Sequence, residues 1–171
     1  MSGPLVAHLA RATLGNSVWV RGQLVTFLAI GADTAGQFAL LRVHARRGAE
    51  PGWHYHTGED ETVYVLRGAL TVLCAGGAGG DGPRALCARP GESVTIPRDL
   101  AHTARYDTAE VTFLLHFSPA GFERYLHTIS APAEYLGLPP PTAAPPPPDD
   151  DRLAALAARY GCVFLGPRPK P

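Results

Sequence analysis

His54, His56, Glu61 and His102 are the residues of this chain whose types and spacing point most directly to chemistry. Two histidines separated by one residue project to the same side of a β-strand, because side chains alternate with period 2. Glu61 follows His56 by five residues and heads the run Glu-Thr-Val-Tyr-Val-Leu-Arg that ends at Arg67, so its carboxylate can turn back toward the same point. His102 offers a third imidazole after a short apolar run and a turn at Pro97. Three neutral imidazoles and one carboxylate form a ligand set for one divalent transition metal (Fe, Mn, Ni, Co, Cu or Zn), with positions left for water or substrate. Among Glu59, Asp60 and Glu61, strand parity selects Glu61, which shares a side with Val63 and Val65. Asp60 is the competitor, at a spacing one residue shorter.

These ligands need a rigid frame, and the sequence supplies one made of strands. Short apolar or alternating segments at 17–20, 24–30, 38–45, 54–56, 61–66, 69–74, 84–88, 93–96, 102–106 and 111–117 are separated by Gly, Pro, Asp and Asn turn signals. That density, with no helical pattern between them, predicts an all-β sandwich or barrel over 17–118. The runs 63–66 and 70–73 are expected to pair as a hairpin across the turn Arg67-Gly68-Ala69. Val63, Val65, Phe113 and Leu115 are candidates to line an internal pocket. Trp53 and Tyr55 alternate with the ligand histidines and point away from the metal. His44 and His116 lie within strands as candidate pocket or supporting residues, while His8 and His127 read as surface residues.

Helical patterning begins only after the last strand. Ser118 as N-cap and Pro119 at the first helical position predict a helix from residue 119, with Phe122, Tyr125 and Leu126 on one face, and a second short turn over 131–138. The chain thus divides into an arm (1–16), the barrel (17–118), a helical segment packed on it (119–138), a proline-rich linker (139–148), and a C-terminal helix and tail (149–171). The helix over 149–160 starts on acidic residues and stops at Gly161, and is expected to dock on the barrel or on a second subunit. The glycine-rich stretch 76–82 lacks the Lys-Ser/Thr ending of a phosphate loop and reads as a hairpin tip.

Composition narrows the partners. Fifteen basic and fifteen acidic residues cancel in a chain of 171 residues, which argues against nucleic acid or an anionic membrane as partner. No apolar run approaches the roughly 18 residues of a membrane span, and His8 and Arg11 interrupt the apolar residues near the start, against a signal peptide. The three cysteines, Cys74, Cys87 and Cys162, show no C-x-x-C spacing and are expected as free thiols in a cytoplasmic setting.

The full constellation is Gly48, His54, His56, Glu61 and Gly68, followed by Gly91, Pro97 and His102. It resembles the two-part signature of the cupin superfamily, departing only at Asp99, where that family usually has glycine, and at Tyr106, where it often has asparagine. The opening Ser-Val-Trp-Val-Arg-Gly-Gln-Leu-Val-Thr-Phe at 17–27 and the run from Pro119 to Leu138 look like single-domain cupins of the quercetin 2,3-dioxygenase-like group, a resemblance covering roughly residues 17–140. It implies a cupin β-barrel of two antiparallel sheets with short C-terminal helices, a homodimer, and a metal held by His54, His56, Glu61 and His102. It also implies a small phenolic substrate and O2, with the substrate hydroxyl ionised at the metal and Glu61 as general base. Two other readings stand beside the dioxygenase: a non-oxidative cyclase or isomerase of polyketide-type secondary metabolism, and a non-catalytic small-ligand-binding module.

Overall fold

In a computed structural model the described residues are 5–76, 82–141 and 151–166. They form two antiparallel sheets packed face to face. The elements are β1 (Ser17–Val20), β2 (Gln23–Ala29), β3 (Ala39–Arg46), β4 (His54–His56), β5 (Asp60–Arg67), β6 (Leu70–Cys74), β7 (Arg84–Ala88), β8 (Ser93–Ile96), β9 (His102–Tyr106), β10 (Glu110–Ser118), α1 (Glu123–Thr128), β11 (Ala131–Pro132), α2 (Asp151–Ala158) and β12 (Cys162–Phe164). The larger sheet runs β11-β1-β2-β3-β10-β5-β8 and the smaller β12-β4-β9-β6-β7.

Period-2 alternation decides which side chains meet between the sheets. On β3, Ala39, Leu41, Val43 and Ala45 are buried while Arg42 is exposed; on β5, Val63 and Val65 are buried while Tyr64 and Leu66 face out. The inward residues of both sheets, with Leu70, Val72, Phe117 and the C-terminal Ala157 and Cys162, make one continuous core. This is the all-β barrel expected from the strand pattern.

The expected hairpin between 63–66 and 70–73 does not form. β5 pairs with β10 and β8 in one sheet, and β6 pairs with β7 and β9 in the other, so the chain crosses between sheets at Gly68. Both strands still bury their inward apolar residues, because each faces the core from its own sheet. Gly68 has φ +79, and a Cβ there would lie 2.5 Å from the Glu110 carbonyl oxygen and 2.5 Å from the Thr108 hydroxyl. Only glycine passes that corner.

The helical reading of 119–138 also needs correction. α1 starts at Glu123, not at 119, because Ser118 ends β10 and its hydroxyl donates to the Gln37 carbonyl instead of capping a helix. The turn before α1 is held by Glu123, whose carboxylate accepts from the Gly121 and Gly31 N–H groups at 2.6 and 3.1 Å. Residues 131–132 form β11 against β1 rather than a helical turn. Residues 142–148 of the proline-rich linker and 77–81 of the glycine-rich stretch lie outside the described residues. α2 docks on the barrel, burying Ala157 and packing Leu156 and Tyr160 against the core. Among the described residues no helix is long and apolar enough to cross a membrane.

Candidate metal centre

β4 carries His54 and His56 on its inward face, both buried, with Tyr55 between them half-exposed. β9 lies antiparallel beside it in a register that places His102 directly opposite His54, and the two rings come within 4.4 Å. β5 enters from the other sheet, and inward parity brings Glu61 across the interior. Its Oε2 lies 3.2 Å from His56 Nε2 and 3.4 Å from His102 Nε2. One ligand atom from each of His54, His56, Glu61 and His102 falls within 4.8 Å of all the others, a cluster able to hold a metal ion.

The rings are aimed from outside. His54 Nδ1 and His102 Nδ1 each sit 2.8 Å from a backbone carbonyl, of Gly52 and Leu100, which leaves Nε2 as the nitrogen facing inward. The turn after β8 is tied to the same strand, since the Asp99 N–H donates to the His56 carbonyl at 2.7 Å. Asp99 has φ +63, the left-handed conformation that glycine adopts freely and that aspartate tolerates better than most residues. Its standing where cupins usually have glycine therefore keeps the turn. Asp60, the competing carboxylate, points outward and forms a two-oxygen pair with Arg98 at 3.0 Å, fixing that turn to the head of β5.

The electrostatics suit a cation. Burial lowers His54 to about 3, with His102 and His56 adding to the effect, so this ring is neutral. Burial would raise Glu61, but the His102 and His56 rings beside it hold its carboxyl well below the usual range. Burial would lower His102, but Glu61 next to it raises it. His56 Nδ1, His56 Nε2 and His102 Nε2 are buried without an aligned hydrogen bond. Buried polar atoms left this way are costly unless something satisfies them. An ionised carboxylate facing orphaned ring nitrogens is the donor set a divalent ion would complete.

A cavity of about 110 Å³ adjoins the cluster, lined by His54, His56 and Glu61 and otherwise mostly by apolar side chains. Val63, Phe113 and Leu115 line it as expected, whereas Val65 is core and does not. His44 and His116 are on the outer face: His44 pairs with Glu110 at 2.9 Å and His116 packs against Phe38, so neither supports the site. The sequence reading missed β12. This strand pairs with β4, setting Cys162 opposite His56 and Phe164 opposite His54, and both side chains line the cavity. Its signal was the β-prone Cys-Val-Phe run after Gly161, itself at φ +78. Burial pushes the Cys162 thiol up, so it serves as wall rather than nucleophile; Cys74 and Cys87 are likewise free thiols.

Comparison with known proteins agrees with this architecture. Residues 41–117 match the family model described as a cupin domain. The structure is similar to an RmlC-like cupin from Shewanella frigidimarina NCIMB 400, with 19% identity, 70% of this chain and 96% of that chain covered, and a TM-score of 0.55. It is similar to a mutant of Bacillus subtilis oxalate decarboxylase, with 17% identity, 71% and 32% covered, and a TM-score of 0.56. A recombinant oxalate oxidase in complex with glycolate is 27% identical over 58% of this chain and 52% of its own, at a TM-score of 0.49. No curated protein matches the chain. All four clustered residues fall inside the matched segment.

Proposed function

We propose that this protein is a metal-dependent enzyme that takes a small phenolic molecule into the barrel, and that the reaction is a dioxygenation with O2 as co-substrate. The observation that carries the reading is the cluster of His54, His56, Glu61 and His102 at the wall of a largely apolar cavity. His54, His56, Glu61 and His102 would hold the ion. A divalent ion bound there would act as a Lewis acid, lowering the pKa of a coordinated hydroxyl. Glu61 is the carboxylate of the lining, so it is the group placed to accept the substrate's hydroxyl proton. Phe113, Phe117, Phe122 and Phe164 make the lining apolar and aromatic, which suits an aromatic ligand.

The cavity's volume favours a substrate of about one ring. At about 110 Å³ it is well below the roughly 300–1,000 Å³ of pockets that enclose drug-sized ligands. That argues for a simpler phenol than a three-ring flavonol. A second reading keeps the site and changes the outcome: Glu61 alone could move a proton within the substrate, giving a non-oxidative cyclisation or isomerisation. An oxygen electrode separates the two. Protein reconstituted with Fe, Mn, Ni, Co or Cu is offered a flavonol and a panel of single-ring phenols. Substrate-dependent oxygen loss, abolished by Glu61→Gln, is expected for the dioxygenase; product formation without oxygen loss selects the second reading.

A further inference from the structure

Of the residues lining the cavity, Arg21 alone carries a permanent positive charge. It sits in the two-residue loop between β1 and β2, where Val20 pairs with Gln23. Both loop residues are left-handed, Arg21 at φ +48 and Gly22 at φ +83. Two-residue hairpin loops of this kind favour Asn-Gly, because asparagine tolerates positive φ and long side chains do not. An arginine at the first position is therefore a local choice made against backbone preference, and such choices cluster at functional sites.

Arg21 is half-buried, and among the described residues no side chain or carbonyl forms a hydrogen bond or ion pair with its guanidinium. Two of the nearby polar groups can donate. Gln23 Nε2 donates to the Ala49 carbonyl at 2.6 Å and lies 3.4 Å from the Tyr106 hydroxyl, leaving the Tyr106 O–H free to donate into the cavity that both line. Glu50, the nearest acid in sequence to Ala49, accepts from the backbone N–H groups of Gly48 and Tyr106 and keeps its negative charge there. A divalent ion on three neutral imidazoles and Glu61 would leave one net positive charge, and Arg21 at the cavity lining, which also borders a surface pocket with Arg46 and Arg47, adds a second. Water screens such charges poorly inside a low-dielectric cavity.

We infer that Arg21 anchors an anionic group of the substrate, so that the site takes a small phenolic acid, its hydroxyl toward Glu61 and the histidines and its carboxylate toward Arg21 and Tyr106. This deepens the proposed function and rests on it for the second anchor, but the charge preference at Arg21 is read independently of the metal. The test uses two isosteric probes, 4-hydroxybenzoate and 4-hydroxybenzamide, titrated calorimetrically into the full chain with and without Co(II), with metal content measured on the same samples. Wild type should bind the carboxylate at least about tenfold more tightly than the amide. Arg21→Lys should keep most of that preference. Arg21→Asn should erase it while raising the melting temperature, since asparagine suits the loop; a residue kept for structure alone would show the opposite shift. Equal affinities in wild type, a preference that survives Arg21→Asn, or binding of neither probe would overturn the inference. Charge preference in protein that takes up no Co(II) would count against the metal reading alone. Stoichiometric Co(II) with no charge preference would count against Arg21 alone.

Discussion

At the scale of the residue, the candidate ligands were legible because strand geometry is simple. The one-residue gap between His54 and His56 fixed their shared face, and the parity of Glu61 with Val63 and Val65 separated it from Asp60. What Asp60 does instead was not legible, because its partner Arg98 is distant in sequence and only the fold brings the two together. Its carboxyl is held at about 2 by the Arg98 side chain and N–H. A depressed carboxyl contributes stability above its ordinary range, near 4, and loses it as pH falls through about 2. Asp60→Asn should therefore melt below wild type at pH 7, and the two curves should converge as the pH approaches 2. The pair is exposed, so the gap at pH 7 should be small. A constant gap across that range would show that Asp60 acts through something other than its charge.

At the scale of the element, the positions of nearly all strands followed from alternation and turn residues, but which strand pairs with which did not. β5 and β6 each satisfy a hairpin pattern locally, but they part at Gly68 to pair with β10 and β8 and with β9 and β7. Gly68→Ala adds left-handed strain and a collision with backbone. It should cost about 3 kcal/mol, roughly 6–12 °C in melting temperature. A hairpin turn with open space would tolerate the change, so a shift under about 2 °C would contradict the crossing described here. β12 was invisible for a different reason: a three-residue strand beyond a proline-rich segment carries too little pattern to stand out. Its Phe164 ring lies 5.6 Å from His54 and closes that side of the cavity. Phe164→Ala should lower stability by about 2 kcal/mol, less than for a fully buried phenylalanine, and should admit larger phenols than wild type binds. Loss of stability with no change in ligand size would leave β12 as packing only.

At the scale of the whole molecule, the site joins the two sheets. β4 and β9 supply imidazoles from one and β5 supplies the carboxylate from the other, so an ion at their meeting point would clamp the sandwich. Ligand that binds only the folded state stabilises it by mass action, by about 4 kcal/mol at a thousand times its dissociation constant. Stripping the metal with a chelator should therefore lower the melting temperature by several degrees, and re-addition should restore it. Because the imidazoles must be neutral to bind, the metal-dependent part of that stability should shrink as pH falls.

The central claim is that His54, His56, Glu61 and His102 hold one ion. Its most direct test is the metal content, by elemental mass spectrometry, of protein purified without chelator and after reconstitution, beside His54→Ala and His102→Ala. About one equivalent per chain in wild type, falling to background in both folded variants, is the predicted result. No metal in wild type even after reconstitution, or undiminished metal in the two variants, would contradict it.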